Sequence, residues 1–285
     1  MVETQGLVEL LQQHFEAYQR QEDALSCSAA GRAAAVHKQI TVLTLNESVS
    51  RLSLQHNHNA KAKQRRQGGN KDGDDHNALS TLLIQYIDAA IVVEINSELQ
   101  EPVERVLDLA AALAVTAGES TASAVVEHAV EASSVLLERV RGQACLLIGF
   151  LASHLTGRSE DWANRCIMKL QTSLISRLTD KSQSVRNAAI LASSNCFENI
   201  DDSEELLETL LWNLWHDPSV SNRVAAIQSI PITNETVDHI IARVRDVKEK
   251  VRMQALEVLR TKVNPITHLT EEQLAEVIRS GLSIR

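Results

Sequence analysis

Aspartate and arginine recur at a fixed spacing in the second half of this 285-residue chain, and their side chains together form strong charge-assisted hydrogen bonds. An arginine follows an aspartate by six residues in three places: Asp180 to Arg186, Asp217 to Arg223, and Asp246 to Arg252. A fourth, weaker copy is Val140-Arg141. Successive arginines lie 45, 37 and 29 residues apart, and each begins a stretch rich in alanine and leucine. This pattern predicts a repeated unit of two short helices.

Repeats of this length predict an all-α fold, a superhelical stack of helical pairs of the HEAT or armadillo type. In such a stack, the turn between the two helices of one pair lies beside the equivalent turn of the next pair. An aspartate in the turn can cap the second helix and reach an arginine at its start, and an arginine can also reach the aspartate of the neighbouring repeat. We therefore predict that the six residues of the three motifs form a structural ladder along the stack.

Three regions are predicted along the chain: N-terminal helices at 1–54, a disordered polar insertion at 55–78, and the helical-repeat solenoid at 79–285. Alanine is the only hydrophobic residue type between 55 and 77, so this segment cannot bury enough apolar surface to offset the entropy cost of ordering. Beyond residue 160, helices are predicted at 162–178, 184–198, 203–215, 219–229, 234–245, 248–262 and 271–281.

Individual residues mark where these helices begin and break. Breaks are expected near Pro102, Gly118 and Gly142. Asp217 is predicted to be an N-cap with Pro218 at the first helical position. The sequence Thr270-Glu271-Glu272-Gln273 predicts a capping box at the start of the last helix.

Composition favours a soluble intracellular protein. Hydrophobic residues make up 44% of the chain but aromatic residues only 3%, so alanine, leucine, valine and isoleucine must fill the core. The net charge of −9 excludes a basic nucleic-acid binder overall, and any DNA contact must come from a local patch. No signal peptide is evident at the N terminus, and the most apolar window, 82–95, is too short to span a bilayer. The four cysteines show no CxxC pairing and are expected to be reduced thiols.

Motifs that would indicate catalysis are missing from the sequence. There is no GxSxG, no GxxxxGK[ST] and no HExxH. His56, His58 and His76 lie in the polar insertion, where asparagine and glycine neighbours give no rigid metal-ligand geometry. We therefore expect no enzyme activity, cofactor, metal site or small-molecule substrate.

One local cluster of basic residues contrasts with the acidic chain. Between residues 243 and 262 the sequence has seven basic and three acidic residues, a local charge of +4. Lys181 and Arg177 would align with this cluster if the repeat turns share an edge. A basic strip of this kind can follow a phosphate backbone without recognising bases, although an ordinary solvated turn accounts for the same composition equally well.

Several segments resemble consecutive repeats of the G-type subunit of condensin. These are VRGQACLLIGFLASHL at 140–155, LQTSLISRLTDKSQSVRNAAILASS at 170–194, EPVERVLDLAAALAV at 101–115 and, most specifically, IPITNETVDHIIARVRDVKEKVRMQALEVLRTKV at 230–263. The last shares with the family an Ile-Pro, a Thr-capped helix, Arg-x-Arg-Asp-Val and Val-Arg in the same order. The resemblance covers roughly residues 80–282, while the family's subunit is several times longer than this chain.

The resemblance implies a non-catalytic HEAT-repeat subunit that acts in mitotic chromosome condensation in the nucleus. Its implied partners are the kleisin subunit and double-stranded DNA held in a basic groove. Carried over to this sequence, the expected phosphate contacts are Arg243, Arg245, Lys248, Lys250 and Lys262, with Arg252 assigned to the ladder. Two alternatives stay open: a generic HEAT adaptor of the transport or phosphatase type, and a bilin lyase-like HEAT enzyme, which the uneven repeat length disfavours.

Overall fold

The computed structural model of the protein describes residues 71–92, 100–197, 203–263 and 269–282. Within these ranges the chain forms α-helices, one short 3-10 segment and no strand. The helices are α1 (Lys71–Ile91), α2 (Gln100–Thr116), α3 (Glu119–Ser133), α4 (Glu138–Leu155), α5 (Asp161–Leu178), α6 (Gln183–Ser193), α7 (Glu204–His216), α8 (Val220–Ser229), α9 (Val237–Arg243), α10 (Glu249–Lys262) and α11 (Glu271–Leu282).

Within residues 87–285, the helices pack in two rows. In the first row α3 contacts α5, α5 contacts α7, and α9 contacts α11. In the second row α2, α4, α6, α8 and α10 contact one another in chain order. Helices from the two rows pair as α3 with α4, α5 with α6, α7 with α8, and α9 with α10. This repeated pairing confirms the predicted all-α solenoid.

The core of the stack is built from small and branched aliphatic side chains. Leu147, Ile148 and Leu151 of α4 are fully buried, as are the facing Ala189 and Ile190 of α6. The two helices come so close that a Cβ atom on Gly149 would lie 3.1 Å from the Ala192 Cα. The Asn195 side-chain amide also donates to the Gly149 carbonyl oxygen at 3.0 Å. The absence of a side chain at residue 149 therefore sets the distance between these two repeats.

Most predicted helix boundaries lie within a few residues of the observed ones. The helix predicted at 184–198 ends at Ser193 and is followed by the 3-10 segment Ser194–Cys196. Three other predictions are corrected. Gly142 lies inside α4, because the burial of its neighbours Arg141 and Gln143 outweighs the cost of about 1 kcal/mol that an isolated glycine brings to a helix. Pro218 precedes α8, which begins at Val220 with Ser219 as its N-cap. Helix α1 begins at Lys71, within the segment predicted to be disordered up to residue 78, since a helix can extend beyond its apolar stripe. The predicted regions 1–54 and 55–70 lie outside the described residues.

Other predicted features appear as expected. Gly118 precedes α3 at a φ of 102°, a conformation that favours glycine. In the capping box, the Gln273 side chain accepts from the Thr270 N–H at 2.9 Å and Thr270 Oγ1 accepts from the Gln273 N–H at 3.2 Å. Three cysteines are buried and unpaired: Cys145, Cys166 and Cys196. Cys27 lies outside the described residues.

Candidate nucleic-acid interface

Three buried carboxylate–guanidinium pairs join consecutive turns of the stack. Each pair is bidentate, with one bond from the arginine Nε and one from Nη2. The pairs are Arg141 with Asp180 (2.8 and 3.0 Å), Arg186 with Asp217 (2.7 and 3.2 Å) and Arg223 with Asp246 (3.1 and 3.0 Å). The partners come from successive repeats, so each pair ties the start of one second-row helix to the following turn.

Each ladder arginine also holds its own turn through a backbone carbonyl. Arg186 Nη1 donates to the Asp180 carbonyl oxygen at 2.9 Å, and Arg223 Nη1 donates to that of Asp217 at 2.9 Å. Within one motif the arginine thus bonds the backbone of the aspartate, while the carboxylate receives the arginine of the preceding repeat. The sequence motif did not decide between an arginine contact within its own motif and one with the neighbouring repeat. The structure shows both contacts, each made by a different atom of the aspartate.

The ladder carboxylates stay ionised despite their burial. Burial raises the pKa of Asp180, Asp217 and Asp246, but this effect is outweighed by hydrogen bonds from the ladder arginines and from backbone N–H groups, and by the arginine charges. The pKa of each carboxyl therefore lies below its ordinary value. The backbone donors are Ser182, Ser219 and Lys248, at 2.8–2.9 Å.

The first and last copies of the motif lack one partner each. Val135 occupies the position six residues before Arg141, where the other motifs carry aspartate. At the far end, Arg252 Nη1 donates to the Asp246 carbonyl oxygen at 3.0 Å. Its Nε is buried and has no hydrogen-bond partner in the described part of the chain. Arg141, only a weak copy in the sequence, is thus a full ladder residue, while Arg252 makes half of the expected contacts.

Arg243 is held inside the protein rather than displayed for phosphate contact. Its side chain is 13% exposed, and its guanidinium carbon lies 3.8 Å from the Trp215 ring centroid. Its Nη1 lies 3.5 Å from Asp246 Oδ2. Burial lowers the pKa of Arg243, an effect that Asp246 opposes. The structure therefore favours a positioning role for Arg243 at the turn over the expected phosphate contact.

Two further predicted contacts are engaged with neighbouring helices. Arg245 Nη2 pairs with Glu276 Oε1 at 2.7 Å, and its Nε donates to Ser280 Oγ at 2.9 Å. Lys262 Nζ donates to the Gln228 carbonyl oxygen at 2.9 Å. Lys262 also lies twelve residues beyond Lys250 on α10, about 18 Å along the helix axis. The five expected contacts therefore do not form one compact cluster.

Lys248 and Lys250 are the two predicted contacts that face solvent at a turn. Both side chains are exposed, and no hydrogen bond or ion pair engages either ammonium within the described ranges. Arg139 lies two residues before Arg141, as Lys250 lies two residues before Arg252, and it is exposed as well. Lys181 is exposed in the turn between them. We call these four cations (Arg139, Lys181, Lys248 and Lys250) the turn-edge cations.

Not every basic residue near the turns belongs to this edge. Arg177, which was expected to align with the basic cluster, donates from Nη1 to the Ser133 carbonyl oxygen at 3.0 Å and to Asp180 at 3.3 Å. Acidic groups also lie on the edge, since Glu138 and Glu249 are exposed there. Hydrogen bonds from the Ser182 and Ser184 hydroxyls lower the pKa of Glu138, and the bond from Ser184 is 2.6 Å long.

The described residues show no metal site and no reactive thiol. No group of three or more His, Cys, Asp or Glu side chains could hold a metal ion in this part of the chain. Burial raises the pKa of the Cys145 and Cys196 thiols to about 12, which makes them poor nucleophiles at neutral pH. None of the described helices is long and apolar enough to cross a membrane.

Paired helices joined by a buried Asp–Arg ladder define a HEAT- or armadillo-type α-solenoid, a fold whose stacked repeats form extended surfaces. No protein-family model matches the chain. Among curated proteins, the chain is similar to condensin complex subunit 3 of Schizosaccharomyces pombe, with 25% identity over 162 residues, which is 56% of this chain and 18% of the relative. It is also similar to condensin complex subunit 3 of Homo sapiens, with 29% identity over 146 residues, covering 51% of this chain and 14% of the relative.

A solved structure agrees with these relatives. The crystal structure of the S. pombe condensin Cnd3-Cnd2 subcomplex matches 72% of this chain and 26% of the other chain, with 21% identity and a TM-score of 0.60. At this identity the structural match supports the fold. The sequence relatives confirm the expected resemblance to the G-type subunit of condensin, and the chain spans less than a fifth of the length of these relatives.

Proposed function

We propose that this chain is a non-catalytic scaffold of the condensin type that binds a kleisin subunit and double-stranded DNA on chromosomes in the nucleus. The sequence relationship to condensin complex subunit 3 supports the scaffold role. The similar solved structure is a subcomplex of two condensin subunits, Cnd3 and Cnd2, which supports the kleisin as a partner. The buried ladder suits a scaffold, because its ion pairs hold successive repeats in fixed positions relative to one another.

The observation that supports DNA binding is the pair of exposed lysines, Lys248 and Lys250, beside the last complete ladder rung. Solvated ammonium groups at the start of a helix can bind phosphate oxygens and release counterions, without recognising base sequence. Arg139 and Lys181 are further exposed cations at two earlier turns, separated from Lys248 and Lys250 by the turn that contains Arg223. Arg245 and Lys262 can add contacts only by leaving Glu276 and Gln228, so we assign them a secondary part.

Reversing Lys248 and Lys250 to glutamate is expected to weaken duplex binding by at least about tenfold and to reduce the slope of log K against log salt by about 2, because two phosphate contacts are lost. Fluorescence anisotropy with duplexes of unrelated sequence, over a range of salt concentrations, measures both quantities. Wild-type protein should bind all such duplexes with similar affinity.

The matched control reverses Arg105 and Arg260, which are exposed basic residues outside the repeat turns. The Arg105→Glu, Arg260→Glu variant has the same net charge as the Lys248→Glu, Lys250→Glu variant. If both variants lose affinity equally, the effect comes from net charge and the turn edge is not the DNA site.

Kleisin binding is expected to survive the same lysine reversal, since Lys248 and Lys250 are assigned to DNA contact and not to the kleisin. Co-expression of this chain with the kleisin subunit of the same organism should give a complex that co-elutes in gel filtration, both for the wild type and for the Lys248→Glu, Lys250→Glu variant. Failure of the wild-type chain to co-elute would contradict the kleisin part of the proposal and leave the DNA measurement unaffected.

A further inference from the structure

Two of the three tryptophans of this aromatic-poor chain lie exposed on one face of α7. Trp212 is 53% exposed and Trp215 is 40% exposed. They are three residues apart, so their side chains project from neighbouring positions on the same helix surface. Exposed indoles on a helix already packed on its other side are typical of a surface that binds a partner.

One of these indoles already binds a guanidinium from within the chain. The Arg243 guanidinium lies over the Trp215 ring at 3.8 Å, and the Trp215 Nε1–H donates to His239 Nδ1 at 2.9 Å. The ring edge is therefore fixed by a hydrogen bond while the ring face carries the cation. This contact shows which ligand chemistry an indole on this face accepts.

Trp212 has a comparable position with no cation over it among the described residues. One contact of its ring is with His216, with ring centroids 5.1 Å apart and planes at 29°. The indole is otherwise largely open to solvent. Because His216 stacks on one ring face, a cation from outside the chain would stack on the other face of the Trp212 indole.

Carboxylates precede Trp212 on the same face. Glu208 lies four residues before Trp212, and Glu204 lies four residues before Glu208, with Glu205 beside them. All three are exposed, and no ion pair engages them within the described ranges. Residues four apart on a helix have Cβ atoms about 5–6 Å apart. One planar cation can therefore stack on the Trp212 indole and, at the same time, form hydrogen bonds to the Glu208 carboxylate.

Charge decides what kind of partner fits this face. Three carboxylates repel a phosphate backbone, which excludes a nucleic acid stacking its bases on Trp212. A purely apolar segment would leave the same carboxylates without a counter-charge. A guanidinium can bind both the Trp212 indole and the carboxylates, because it is planar, stacks on aromatic rings and donates bidentate hydrogen bonds to carboxylates.

We propose that the exposed face of α7, formed by Glu204, Glu205, Glu208 and Trp212, binds an arginine-bearing segment of a protein partner. The arginine stacks on Trp212 as Arg243 stacks on Trp215, and its guanidinium bonds the Glu208 carboxylate. The face is independent of the turn-edge cations, so it binds a basic protein segment whether or not the chain binds DNA.

A synthetic peptide with arginine alternating with glycine and serine tests the proposal, alongside matched peptides with lysine or the neutral isostere citrulline. Isothermal titration calorimetry should show the arginine peptide binding about tenfold more tightly than the citrulline peptide, with the lysine peptide between them. In nitrogen-15 spectra, the peptide should shift the Trp212 indole N–H resonance, which the Trp212→Phe spectrum identifies.

Trp212→Ala should weaken the arginine peptide by about tenfold, and Glu208→Gln by roughly threefold. Both side chains are exposed, so far-UV circular dichroism should be unchanged. Met168→Ala is the matched control, because Met168 is 62% exposed on the adjacent first-row helix α5, and it should bind as wild type. Lys248→Glu, Lys250→Glu should also bind the peptide normally, which separates this test from the DNA test.

Equal affinity of wild type and Trp212→Ala for the arginine peptide would overturn the proposal and leave only attraction to an acidic chain. Equal binding of the citrulline peptide would overturn it as well. Concentration-dependent self-association that Trp212→Ala abolishes would overturn it in favour of a second copy of the chain as the occupant.

Discussion

Asp217→Ala is expected to lower the free energy of unfolding by about 3–5 kcal/mol, because it removes one partner of a buried ion pair and leaves the other uncompensated. The Asp217 side chain is 0% exposed and accepts two bonds from Arg186. It also accepts from the Asn222 amide at 3.0 Å and from the Ser219 N–H at 2.8 Å. The variant removes all four of these hydrogen bonds, which come from three residues.

Urea denaturation followed by circular dichroism measures this loss. Arg252→Ala is the matched control, since Arg252 belongs to the same motif but has no carboxylate partner for its Nε in the described residues. It keeps only bonds to backbone carbonyls, so its replacement should cost about 1 kcal/mol. If Asp217→Ala costs no more than Arg252→Ala, the buried pairs do not stabilise the stack.

Gly149→Val is expected to destabilise the protein by about 3 kcal/mol, because its side chain has no space between α4 and α6. A Cβ atom at residue 149 would meet the Ala192 Cα at 3.1 Å and the Ala192 Cβ at 3.2 Å. The first of these is a backbone atom, which moves only if the whole helix moves. The two further methyl groups of valine force α6 away from α4 and open the stack at this repeat.

Gly142→Ala provides a control of opposite sign in the same helix. A Cβ atom at residue 142 would meet nothing within 4 Å, so alanine should stabilise α4 by about 0.5–1 kcal/mol through its better helix propensity. Differential scanning calorimetry of both variants should show a loss of stability for Gly149→Val and a gain for Gly142→Ala. A neutral Gly149→Val would mean that the spacing of these repeats is adjustable.

The spacing of Asp and Arg predicted the fold because the ladder is local in sequence but repeated in space. Six residues separate Asp217 from Arg223 in one motif, and the repeat length brings Arg223 to the next turn. The sequence did not predict the partner of each side chain. Whether an arginine pairs with the aspartate of its own motif or of the next one depends on how the repeats stack. The prediction that Asp217 is the N-cap of α8 was wrong, because its carboxylate accepts from Arg186 of the preceding repeat and from the Ser219 N–H. Ser219 Oγ instead accepts from the Asn222 N–H at the start of the helix.

The candidate site was predicted less completely than the fold. A count of basic residues between 243 and 262 treats all of them as equally exposed, and the structure divides them. The Arg243 guanidinium stacks on the Trp215 ring. Trp215 belongs to another helix, α7, so this contact depends on how α7 packs against the turn and cannot be read from the local sequence. Lys248 and Lys250 keep their predicted exposure, because a turn that begins a helix projects its first side chains into solvent.

The ladder has a direction, since every rung has its donor on the earlier repeat and its acceptor on the later one. Contacts of this head-to-tail kind use two different surfaces, unlike a self-complementary twofold interface. Two copies that met through Arg252 would oppose one guanidinium to the other, and the two like charges would repel. The direction of the rungs therefore disfavours symmetric dimers through the ladder.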